Sequence, residues 1–116
     1  MRETFLKENR LRKRSEFVSL SKTGNKYHNS HFLAVVEKSR LERTRIGITV
    51  TKKVGCAVVR NKVKRLVREY FRKNRHKIHG NLDINIIAKK RTNGDDNRKI
   101  TKALQDIFYK IERQFD

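Results

Sequence analysis

The chain has no proline, one cysteine and only 12 acidic residues among its 116. Without proline there is no Pro-rich spacer, and no low-complexity linker or internal repeat divides the sequence. A lone cysteine, Cys56, rules out an internal disulfide and fits a reducing compartment. No run approaches the ~18 apolar residues of a membrane span. Met1-Arg2-Glu3-Thr4-Phe5 lacks an apolar signal core, so export is not expected and the chain reads as cytoplasmic. The acids are too scattered for a metal-nuclease centre; Asp95-Asp96 is the one adjacent pair, and helix capping explains it better. There is no glycine-rich phosphate loop, nucleophile elbow or zinc finger. His28 with His31, and His76 with His79, have i,i+3 spacing but no third ligand nearby, so structural or phosphate-facing roles outweigh zinc. Cys56, beside an expected helix N-terminus, reads as a small turn residue.

What the chain has is positive charge: 31 Lys and Arg give a formal net charge of +19. A single domain spanning 1–116 with one modest core is expected from that length. So much charge repels itself unless a polyanion is bound, which points to nucleic acid, with an acidic membrane surface as the alternative. The charge is also ordered. Turning about 100° per residue from Val59, the side chains of Val63, Leu66, Val67 and Tyr70 fall within about 80° of it. Asn61, Arg65, Arg68 and Arg72 gather on the opposite side. Lys52 to Lys77 holds eleven basic residues and one acid, Glu69, so salt-bridge pairing along the helix cannot account for the run. A rigid helix carrying guanidinium groups suits a fixed array of phosphates.

Around that helix the pattern predicts an α+β fold with helices on one face of a small sheet. Residues 1–14 read as a basic, partly extended arm anchored by Leu6 and Leu11. Ser15 is the expected N-cap of a short helix, Glu16 to about Lys22, with Phe17 and Leu20 on one face; Gly24-Asn25 breaks it. His31 to Glu37 reads as a strand buried on both faces. After a charged turn, Ser39 to Thr44, the stretch Arg45 to Thr51 alternates: Ile46, Ile48 and Val50 face a core, while Gly47, Thr49 and Thr51 form a shallow polar floor. The basic helix runs from about Ala57 to Arg75, and Leu82 to Ala88 is a third strand with Leu82, Ile84, Ile86 and Ala88 inward. Ile100, Ala103, Leu104, Ile107, Phe108, Ile111 and Phe115 mark a last helix. Phe17, Tyr27 and Phe32 could stack on unpaired bases; Phe32 leans to the core, and Phe17 stays open between core lid and base platform.

The run Arg45-Ile46-Gly47-Ile48-Thr49-Val50-Thr51-Lys52-Lys53-Val54-Gly55-Cys56-Ala57-Val58-Val59-Arg60-Asn61-Lys62-Val63-Lys64-Arg65 closely resembles the protein subunit of bacterial ribonuclease P. That family carries an R-x-G-x-x-V strand, then K-K-x-G-x-A-V-x-R-N-x-x-K-R and a further Arg, here Arg68. Asn9 to Phe17 and Asp83 to Lys89 resemble it more weakly, so the likeness covers nearly the whole chain.

The resemblance implies an α-β-β-β-α-β-α order with a left-handed βαβ crossover. It implies two RNA partners: the catalytic RNA, and precursor tRNA whose 5′ leader is removed, with neither a membrane nor a small-molecule substrate. Mg²⁺ would be held mainly by the RNA, with no catalytic or metal-binding residue on the protein. Arg60, Asn61, Lys64, Arg65 and Arg68 would dock on the catalytic RNA; Phe17, Phe32, Thr49, Lys52 and Lys53 would form the leader cleft. Cys56 stands where the family often has Asn, and Ser21 and Val35 where aromatics are common, which reduces the aromatic area of that cleft. A leader of variable sequence calls for such a basic, sequence-tolerant groove. A ribosomal protein or RNA chaperone is the competing class, and a stand-alone nuclease a third.

Overall fold

A strand that is apolar at successive positions must be covered on both sides, and the centre of this fold is built from such a strand. The computed structural model describes residues 10, 11, 13–78 and 80–115. Its elements are α1 (Arg14–Thr23), β1 (Asn25–His28), β2 (Phe32–Lys38), β3 (Arg45–Thr49), α2 (Ala57–Asn74), β4 (Leu82–Ala88) and α3 (Asn97–Phe115). The strands form one sheet in the order β1-β2-β4-β3. β2 runs antiparallel to both β1 and β4, and β3 runs parallel to β4. α2 therefore joins two adjacent parallel strands, the βαβ unit that the motif implied.

Alternation divides the sheet into two faces. Phe32, Ala34, Val36, Ile46, Ile84 and Ile86 lie in the main core, with Val63, Val67 and Phe71 from α2 and Ile100, Leu104, Ile107 and Ile111 from α3. Tyr70 and Phe108 pack ring to ring, centroids 5.2 Å apart, where the two helices meet. The opposite face carries a smaller cluster of Leu11, Leu20 and Val35, against which Phe17, Leu33 and Ile87 pack. Helices thus cover both faces, where one was expected, because β2 turns Leu33 and Val35 away from the main core and α1 must shield them.

Several local expectations shift. α1 begins at Arg14, not after Ser15; its N-cap is Lys13, whose backbone N–H donates to Glu16 Oε1 at 3.0 Å. Glu16 in the first turn satisfies an N-terminal donor and also accepts from Arg45, so the helix start is fixed by Glu16. Of the arm, Arg10 bridges Ile46 in parallel, and Leu11 N–H donates to the Ile46 carbonyl at 2.9 Å. Leu6, His79 and the side chain of Phe115 lie outside the described residues. β3 ends at Thr49, so Thr51 belongs to the following turn, where its carbonyl accepts from Val54 N–H at 3.0 Å. β1 carried no strand signal in the sequence.

Candidate nucleic-acid interface

In α2 the fully buried positions are Val63, Val67 and Phe71, with Leu66 and Tyr70 only half-buried. The buried stripe is therefore rotated from the one anchored on Val59, towards Phe71. Asn61, Arg65 and Arg68 stand exposed on the far side, while Arg60 and Lys64 are half-buried beside the core stripe. Among the described residues, Asn61, Lys64, Arg65 and Arg68 have no acidic partner. The Arg60 Nε is buried without a hydrogen-bond partner. Arg72, half-buried and already engaged, leaves the exposed row to Asn61, Arg65 and Arg68.

α2 has no acidic residue in its first turn, so its backbone N–H groups and its side chains there both favour an anion. Cys56 is its exposed N-cap residue. The backbone N–H groups of Val59 and Val58, which point towards it at the helix N-terminus, hold the thiol below its usual range. Before it, Lys52 and Lys53 sit exposed on a turn pinned by buried Val54.

The second surface is the sheet face under α1. Arg45 bridges Asp83 through two bonds of 3.0 and 2.9 Å and also meets Glu16. Hydrogen bonding to Asp83, and secondarily to Glu16, raises the guanidinium above its ordinary value. At the other end of α1, Thr23 Oγ1 donates to Glu37 Oε2 at 2.6 Å. α1 thus lies across the strands from β3 to β2. A helix is about 10–12 Å wide, so lying crosswise it covers only about half of a seven-residue strand. The uncovered half is the row of Leu33, Ile87 and Thr49, all half-buried. Thr49 donates to buried Asn85 Oδ1 at 3.1 Å.

Phe17 walls this groove. A Cβ added at Gly47 would lie 2.4 Å from Phe17 Cε1, so the ring occupies the space that the missing side chain leaves. Gly47 was expected to lie in an open polar floor, but the Phe17 ring covers it. Phe17 is half-buried, one face sealing Gly47 and the remainder bordering the groove. Phe32 is corrected: its ring is fully buried in the main core and presents no face to a base. Thr49 ends β3 at the edge of the groove row, and Lys52 and Lys53 follow on the exposed turn after it. Leu33 and Ile87 were missed; their signal was the strand phase opposite to Ile84 and Ile86, too long for one crossing helix to cover.

His31 is buried, with its Nε2 2.5 Å from Asp95 Oδ2 and its Nδ1 2.9 Å from Ser30 Oγ. The bond to His31 holds the Asp95 carboxyl below the usual carboxylate range. Asp96, not Asp95, caps α3, accepting from Lys99 N–H at 2.9 Å. Among the described residues no group of three or more His, Cys, Asp or Glu could hold a metal ion. Glu16 and Asp83 are both engaged by Arg45 and leave no seat for a cation. No described helix is long and apolar enough to cross a membrane.

An α+β chain with unpaired cations along one helix and at the mouth of an open sheet groove is a nucleic-acid-binding protein in class. The Ribonuclease P family model matches residues 5–112. A ribonuclease P protein component from Desulfosudis oleivorans is 46% identical over 112 residues, covering 97% of this chain and 93% of that protein. One from Fusobacterium nucleatum is 42% identical, covering 93% and 91%. The RNase P protein of Staphylococcus aureus superposes with a TM-score of 0.85 at 31% identity, covering 93% of this chain and 98% of the other. That of Thermotoga maritima gives 0.79 at 34% identity, covering 89% and 97%. The chain belongs to the ribonuclease P protein family and is the protein component of that endoribonuclease.

Proposed function

We propose that this chain docks on a catalytic RNA through the exposed face of α2 and holds the 5′ leader of precursor tRNA in the groove beside α1. The observation that carries the reading is the open sheet row Leu33–Ile87–Thr49, walled by Phe17 and ending at Lys52 and Lys53 beside the N-terminus of α2. An apolar strip with one aromatic and a basic mouth accepts a single strand without reading its sequence. Arg65, Arg68 and Asn61 then contact phosphates of the catalytic RNA, with Arg60 and Lys64 flanking them. Mg²⁺ held by the RNA would supply the activated water and stabilise the leaving oxygen. The protein's own part is positioning: it holds the leader on one side of the scissile bond and the catalytic RNA on the other. Its charge also replaces cations along the RNA, lowering the Mg²⁺ needed for an active fold. The compartment for this processing is the cytoplasm.

The test is reconstitution with the catalytic RNA at low Mg²⁺, with and without this protein. Cleavage should depend on the protein, and Phe17→Ala should weaken binding of leader-bearing precursor by about 1–3 kcal/mol while leaving mature tRNA unaffected. Equal weakening of both substrates by a folded variant would sink the leader groove. Cleavage at the mature 5′ end by RNA-free protein, abolished by His28→Ala or His31→Ala, would overturn the division of labour.

A further inference from the structure

The groove row does not stop at Leu33. His28 pairs with Leu33 across β1, so Thr49, Ile87, Leu33 and His28 form one line over all four strands, about 14 Å long. A strand entering beside Lys52 and Lys53 and longer than this line must leave over the β1 edge. That edge is cationic in a fixed way. Lys89 Nζ donates to the Asn29 carbonyl at 2.7 Å, and Lys110 Nζ, reaching from α3, donates to the His28 carbonyl at 3.0 Å. Neither ammonium has a carboxylate partner among the described residues, and each keeps two further donors. Lys26, exposed on β1, pairs with Val35 and so faces the groove side. Asp95, in the pocket beside Asn29, is taken by His31, and Asp106 of α3 lines the same pocket.

We infer that the β1–β2 turn is a second leader subsite, in which Lys26, Lys89 and Lys110 grip phosphates of nucleotides farther from the scissile bond than those in the groove. This rests on the leader-groove reading and extends it past the sheet. Two ammonium groups tethered to successive carbonyls of one turn are pre-positioned, so gripping phosphates costs less side-chain entropy than it would for freely moving lysines. Backbone recognition of this kind is indifferent to leader sequence.

The experiment measures holoenzyme affinity for precursors with leaders graded up to about sixteen nucleotides, the upper range of single-strand site sizes. The variants are Lys26→Ala, Lys26→Ala with Lys110→Ala, and the same pair changed to Arg; melting checks the fold. With the unmodified protein, affinity should rise with leader length and then level off. In the double alanine variant short leaders should bind as before, and the plateau should come at a shorter leader, with a several-fold loss for the longest. The log-affinity versus log-salt slope for long leaders should flatten by about 0.7 for each phosphate no longer neutralised. The Arg pair should restore the plateau. A loss equal at every leader length would place these lysines on the catalytic RNA and overturn the subsite. So would an unchanged plateau in a protein whose affinity does rise with leader length. No dependence on leader length in the unmodified protein would remove the groove reading itself, and the subsite with it.

Discussion

Replacing Gly47 by alanine forces a Cβ to within 2.4 and 2.6 Å of two Phe17 ring carbons, and 3.2 Å from Leu11 Cβ. The ring cannot stay where it is. Overpacking of this kind costs roughly 1–3 kcal/mol, against about 0.5–1 kcal/mol gained by removing a flexible glycine from a strand. The net expectation is a loss of about 1–2 kcal/mol, a melting temperature lower by about 4–8 °C for a chain of this size. Phe17→Ala alone should cost about 2 kcal/mol, half of what a fully buried Phe costs. In the Phe17→Ala background, however, Gly47→Ala should be neutral or slightly stabilising, since only Leu11 then lies close to the new methyl. The double-mutant cycle therefore yields a coupling of about 1–2 kcal/mol. Thermal or urea unfolding of the four proteins measures it, and leader-dependent binding in the holoenzyme provides the functional arm. Gly47→Ala should reproduce the leader defect of Phe17→Ala without touching mature tRNA. Additive stability losses, or a Gly47→Ala protein with full leader affinity, would refute the claim that Phe17 rests on Gly47 as the groove wall.

Arg65→Ala and Arg68→Ala, both exposed, should leave stability within about 0.5 kcal/mol. Each should flatten the salt dependence of catalytic-RNA binding by about 0.9 per duplex phosphate no longer neutralised, and an unchanged slope with a large drop in melting temperature would make them structural. Asp95, held below its ordinary range chiefly by the bond to His31, stabilises the fold above the unfolded carboxylate pKa of about 4 and loses that contribution as pH falls through its lower folded value. Asp95→Asn should therefore flatten the acid limb of stability against pH; parallel curves for the two proteins would deny the pair that role.

β2, β4 and α3 were legible because each buries a long apolar pattern whose period belongs to one element type. Asn25-Lys26-Tyr27-His28 has no such pattern. It is an exposed edge strand with Tyr27 as its sole inward apolar side chain, and pairing with β2 makes it a strand. The arginine face of α2 was readable, but the stripe beneath it was anchored too early. Val59 lies in the first turn and is only half-buried, whereas Phe71 closes the core. Phe17 could not be settled from its neighbours in sequence, since its burial depends on which strand α1 crosses. The His31–Asp95 pair joins residues 64 apart and left no local trace. Phe32 followed the pleat into the core, as its alternation with Ala34 and Val36 required.

The two faces of the sheet are unequally held. Among the described residues, nineteen buried apolar side chains lock α2 and α3 to one face, whereas Leu11, Leu20 and Val35 are the buried apolar anchors of α1 on the other. Local opening costs least where the least apolar surface is uncovered, so amide exchange should be faster in α1 than in β2, β4 or α3. α1 is also the wall of the groove, through Phe17. On the reading proposed above, that wall can draw back while the sheet and the arginine helix stay in place, so that a leader still attached to a folded tRNA is laid onto the open strip from the side.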